Sequence, residues 1–122
     1  VIVAFGMNDF HGRDADAYKK DVQRIIRDIR AARPRAEFIL VSSMWHHPGA
    51  ARPITNFLRY QRALKELCGK GVALADMTAL FDGMLQRKRW HDVGSGINHP
   101  NDFSHRLYAQ TILGLIMQWQ TD

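Results

Sequence analysis

Two short segments of this 122-residue chain combine residue types that can do chemistry. The first is Gly6-Met7-Asn8-Asp9, directly after the apolar run Val1-Ile2-Val3-Ala4-Phe5. A glycine there lets the chain turn sharply off a strand and lets a ligand approach the backbone. An asparagine in such a turn can aim its amide N–H at an oxygen on which negative charge develops, a contribution of about 3 kcal/mol in hydrolytic sites. Asn8 and Asp9 equally suit a structural turn, bonded through their side chains to neighbouring backbone. The second segment is Asn98-His99-Pro100-Asn101-Asp102-Phe103-Ser104-His105. Histidine titrates near operating pH and is the commonest general base, and Pro100 stiffens the backbone behind His99. Capping a helix or filling a polar gap is the other use for His99 or His105.

The elements that must position these segments follow from hydrophobic periodicity. Val1 to Phe5, Phe38-Ile39-Leu40-Val41 and Val72-Ala73-Leu74-Ala75 are short continuous apolar runs, as expected of strands buried on both faces of a parallel sheet. Between them, Tyr18, Val22, Ile25, Ile26 and Ile29 recur at helical spacing within a helix expected over Ala15 to Ala32, which Pro34 ends. Phe57, Tyr60, Leu64 and Leu67 mark a second helix, expected near Ile54 to Cys68 with Gly69 as its C-cap. Thr78 to Leu85 reads as a short helix, and Arg89 to Pro100 as a loop. Asp102 is the expected N-cap of a last helix carrying Leu107, Tyr108, Ile112, Leu115, Ile116 and Trp119. Strand and helix alternating with short links imply right-handed crossovers and a three-layer α/β sandwich.

In open α/β sheets, ligands bind beyond the carboxyl ends of the strands. Those ends carry Gly6 and Asn8, then Ser43-Met44-Trp45-His46-His47, then Asp76. Trp45 and His46 are therefore expected to line a substrate pocket with Gly6. His46, His47 and His91 lack carboxylate or cysteine partners at ligand-like spacing, and no metal or cofactor is expected. Lys and Arg outnumber Asp and Glu 17 to 12, a net charge of +5, yet the basic residues alternate with acids along helices. The one dense run, Arg87-Lys88-Arg89-Trp90, is too short to argue for nucleic acid. No apolar run approaches the ~20 residues of a membrane span. Cys68, the lone cysteine, reads as a buried structural thiol.

Gly-x-Asn-Asp behind a buried strand, with His-Pro-Asn-Asp about ninety residues later and before a terminal helix, resembles the SGNH hydrolases, the GDSL lipase/esterase group. The resemblance runs over essentially the whole chain. It implies a flavodoxin-like three-layer sandwich with a parallel sheet, incomplete at its N-terminus, with residues 1–122 as the C-terminal part of one hydrolase domain. It implies that Asn8 is an oxyanion-hole donor and His99 the general base, with a serine nucleophile and an oxyanion glycine upstream of Val1. The implied activity is ester hydrolysis, and the Asn-His-Pro-Asn-Asp variant points to the carbohydrate-esterase branch, with a carbohydrate or other small-acyl ester as substrate. A lipase or lysophospholipase, or a catalytically silent binding module, are the alternatives.

Two positions depart from the family pattern. Ser42, Ser43, Ser95 and Ser104 all lack the Gly-Asp-Ser context of the nucleophile. The acid expected three residues before His99 is Gly96. A backbone carbonyl holding the imidazole, or Asp92 reaching back from seven residues earlier, are the two ways to orient His99. Asp102-x-x-His105 repeats the Asp-x-x-His spacing and makes His105 a rival base.

Overall fold

The computed structural model describes residues 1–8, 14–49, 55–96 and 98–117. Three parallel strands form its centre: β1 (Ile2–Val3), β2 (Phe38–Val41) and β3 (Val72–Ala75), in the order β1-β2-β3. Ile2 pairs with Ile39 and Val3 with Leu40, while Phe38 to Val41 pair in register with Val72 to Ala75. The strand expected over Val1 to Phe5 is thus shorter: its pairing with β2 ends at Val3, ahead of Gly6, where a φ of +115° turns the chain.

Side chains on a strand alternate between faces, and β2 separates two cores. Phe38 and Leu40 pack with Val3 and Val72 against α1 (Ala15–Ala32) and α2 (Thr55–Lys65), where Tyr18, Val22, Ile26, Phe57, Tyr60 and Leu64 are buried. Val41 and Ile39 face the other way, with Met44, Ala75, and Met77 and Phe81 of α3 (Met77–Leu85). Trp90 and Val93 of α4 (Trp90–Val93) and Leu107, Tyr108 and Ile112 of α5 (Asp102–Ile116) complete that second core. Helices on both faces of a parallel sheet give the expected three layers.

The helix ends follow local chemistry. Asp14 accepts the Ala17 N–H and opens α1. Asn101, not Asp102, caps α5: its side-chain oxygen accepts the Ser104 N–H at 3.0 Å, which leaves Asp102 in the first turn, where a carboxylate suits the helix dipole. Helix α2 stops at Lys65, and Gly69 instead bridges to Val72. Cys68 is exposed, its thiol donating to the Leu64 carbonyl, so the expectation of a buried thiol does not hold.

The segment expected as a loop from Arg89 to Pro100 contains α4 and a small antiparallel pair, β4 (Gly94–Ser95) and β5 (His99–Pro100). Periodicity misses such elements because they are too short to repeat.

Candidate active site

At the carboxyl ends of β1 and β2 the molecule has a cavity of about 320 Å³. Phe5, Met7 and Asn8 reach it from the end of β1, and Ser43 and Met44 from the end of β2. His99 enters from β5 and Tyr108 from α5. Asn8 and His99, separated by most of the chain, therefore border the same space. Both are exposed.

Each approach has a local cause. Gly6 takes a φ of +115°, which turns the backbone off β1 and presents Asn8 at the rim. A Cβ on Gly6 would lie 3.3 Å from both Tyr18 and Tyr60, whose rings stack at 4.3 Å. The space over Gly6 is thus filled by aromatic side chains of α1 and α2, and Gly6 does not border the cavity. Asp9 lies outside the described residues.

His99 is carried on the β4–β5 pair, opposite Ser95. Several contacts hold that pair. The Trp90 indole N–H donates to the Gly96 carbonyl at 3.0 Å, and its ring lies against Gly94, where a Cβ would come within 2.3 Å of two indole carbons. The Asn101 amide donates to the Asp92 carbonyl, the Ser104 hydroxyl to the Val93 carbonyl, and the Asn101 N–H to the same Val93 carbonyl. Gly96 has a φ of +62°, a conformation that glycine adopts freely and that reverses the chain between β4 and β5.

Asp92 is occupied locally. Its carboxylate accepts the Arg89 N–H at 2.9 Å and lies 3.7 Å from the Arg89 guanidinium. The Arg89 N–H, and then the charges of Arg89 and Lys88, hold its pKa below the usual carboxylate value. His105 lies on the exposed side of α5, away from the cavity.

Trp45 and His46 sit beside the cavity without bordering it. The Trp45 indole donates to the Thr78 carbonyl at 2.8 Å. His46 is buried, its Nδ1 2.7 Å from the His47 carbonyl and its ring edge-on to Phe57. Ser42 is likewise structural: its hydroxyl donates to Asp76 and accepts the Thr78 N–H. Asp76 ties these strand ends to α2 and α3. Burial pushes its carboxyl up, but bonds from Gln61, Ala79 and Lys65 outweigh that and hold it below its usual value.

Tyr108 is the cavity residue that sequence reasoning placed only in a core stripe. The Met44 N–H donates to its hydroxyl oxygen at 2.9 Å, and burial pushes its pKa up to about 12, so it stays a neutral phenol at any ordinary pH. Its signal in the sequence was a single polar tip among aliphatic residues at helical spacing.

The match to known proteins decides the family. The GDSL-like Lipase/Acylhydrolase family matches residues 1–107. This chain belongs to that family. Among solved structures, a member of the lipolytic protein G-D-S-L family from Veillonella parvula superposes with a TM-score of 0.73 at 20% identity, covering 97% of this chain and 63% of its own. A carbohydrate esterase family 3 protein from Talaromyces cellulolyticus follows, with a TM-score of 0.69 at 20% identity over 95% of this chain and 56% of its own. A salicylyl-acyltransferase from a tetracycline biosynthetic pathway gives 0.63 at 16% identity, over 95% and 37%. At such identities these structures share the fold with the GDSL-like chain, which spans under two thirds of the length of each. No curated protein matches the chain.

Proposed function

We propose that residues 1–122 are the C-terminal part of a single hydrolase domain that cleaves small-acyl esters, with acetylated carbohydrate as the favoured substrate class. The observation that carries this reading is the meeting of Asn8 and His99 at one cavity in a chain of the GDSL-like family. In the reaction, His99 takes the proton of a serine hydroxyl supplied by residues upstream of Val1, and the serine oxygen attacks the ester carbonyl carbon. The carbonyl electron pair moves onto oxygen, where the Asn8 amide donates a hydrogen bond. Collapse of the tetrahedral centre breaks the bond to the alcohol, which leaves with the proton from His99. Water, deprotonated by His99, then releases the acyl group and restores the serine. On this reading the imidazole is oriented by a backbone carbonyl rather than by Asp92, whose carboxylate accepts the Arg89 N–H at the start of α4.

The likeness in fold to a carbohydrate esterase supports the sugar preference. On this reading the 122-residue chain alone is inactive.

The test is hydrolysis of p-nitrophenyl acetate by the full-length protein. His99→Ala is expected to lower kcat by about a thousandfold or more. A loss below tenfold would show that His99 is not the base, and faster cleavage of long-chain than of acetyl esters would overturn the substrate class.

A further inference from the structure

Tyr108 has a role that core packing does not account for. Its ring sits in the second core, tilted against Phe81 at 6.3 Å between centroids, and its hydroxyl is bonded to Met44, which lines with Tyr108 the same cavity as Asn8 and His99. A phenol has one proton to donate and lone pairs to accept with. The Met44 N–H at 2.9 Å occupies a lone pair. The bond fixes the oxygen in place and leaves the phenolic proton to be given to another group. Because α5 holds the ring and the β2 end holds the oxygen, the donor is rigid before any ligand arrives, the condition under which a hydrogen bond contributes most to binding.

We propose that Tyr108 is a substrate-binding residue, its hydroxyl donating a hydrogen bond to an oxygen of an acetylated sugar bound in this cavity. The proposal rests on the ester-hydrolase reading for its substrate class, and it adds a binding contact that neither Asn8 nor His99 supplies. Two oxygens on such a ligand have the right chemistry: the acetyl carbonyl and a sugar hydroxyl. The neutral state of Tyr108 well into alkaline solution keeps the donor available at any working pH.

The experiment measures binding apart from turnover. The full-length protein and its Tyr108→Phe variant, which keeps the ring, are titrated by NMR with N-acetylglucosamine, an uncleaved analogue of an acetyl ester, and with methyl glucoside. Loss of the contact is expected to weaken N-acetylglucosamine binding about fivefold. Weakening confined to N-acetylglucosamine assigns the acetyl carbonyl, and weakening of both ligands assigns a sugar oxygen. Equal dissociation constants for both proteins, or no binding of either ligand to the wild type, would overturn the proposal. If Tyr108→Phe melts below the assay temperature, 3-fluorotyrosine at position 108 reports the same contact. Its fluorine resonance is expected to shift on adding N-acetylglucosamine, and an unmoved resonance rejects the contact. Tyr108-dependent binding without His99-dependent hydrolysis would sink the hydrolase reading and leave this one standing.

Discussion

Position 96 is where the chain leaves the Asp-x-x-His pattern, and the backbone gives a reason. Gly96 turns the β4–β5 pair with a positive φ, and its carbonyl receives the Trp90 indole proton. The residue is therefore used as a hinge and an acceptor, two tasks of the main chain that no side-chain acid performs. The nearest upstream carboxylate, Asp92, is bonded to the Arg89 N–H and the positive charges beside it. A carboxylate so placed is engaged at the start of α4. Replacing Asp92 with alanine in the full-length protein should therefore cost less than tenfold in kcat, against the roughly 10⁴-fold that removal of a true triad acid costs. A drop of the larger size, measured with p-nitrophenyl acetate, would mean that Asp92 reaches the imidazole during turnover.

Helix α4 and the β4–β5 pair form the element on which His99 depends. Its rigidity comes from close packing of the Trp90 ring on Gly94, reinforced by Asn101 and Ser104 at the start of α5. Gly94 has an ordinary φ of −121°, so its role is steric rather than conformational. A methyl group there meets the indole at 2.3 Å, and the ring or the strand must move. Gly94→Ala is expected to destabilise the fold by about 1–3 kcal/mol, the usual cost of overpacking. The measurement is thermal or urea unfolding, and an unchanged midpoint would show that the pair tolerates displacement. The same variant should lower kcat, because the strand carrying His99 shifts with Gly94.

At the scale of the molecule, the sheet is unevenly covered. Ile2, Ile39 and Ala73 lie side by side on the α5 face, and with Val1, Leu115 and Ile116 they border a groove of about 620 Å³. Val1, Ile2, Phe5, Leu113 and Ile116 are each half or more exposed. Among the described residues, β1 pairs on one side only. Open parallel edges and contiguous apolar surface favour association. Residues 1–122 prepared alone are expected to bind a hydrophobic dye and to sediment with a concentration-dependent size, and Ile2→Lys should reduce both. A monomer that leaves the dye dark would show that this surface is covered within the chain. Among the described residues, no helix is long and apolar enough to cross a membrane.

The sequence by itself determined the layers and the pairing of motifs. Helix α1 and strands β2 and β3 fall where periodicity places them, because long amphipathic repeats and continuous apolar runs are local properties of the chain. The two blocks that define the family are likewise contiguous residues, and they are readable without coordinates. Tertiary structure alone decided what surrounds them. It brought Tyr108 to the cavity and turned Trp45 and His46 towards other partners. It filled the space over Gly6 with Tyr18 and Tyr60, and it committed Asp92 to Arg89. Each of these depends on contacts between segments far apart in the chain or on short loop elements, and neither leaves a period in the sequence.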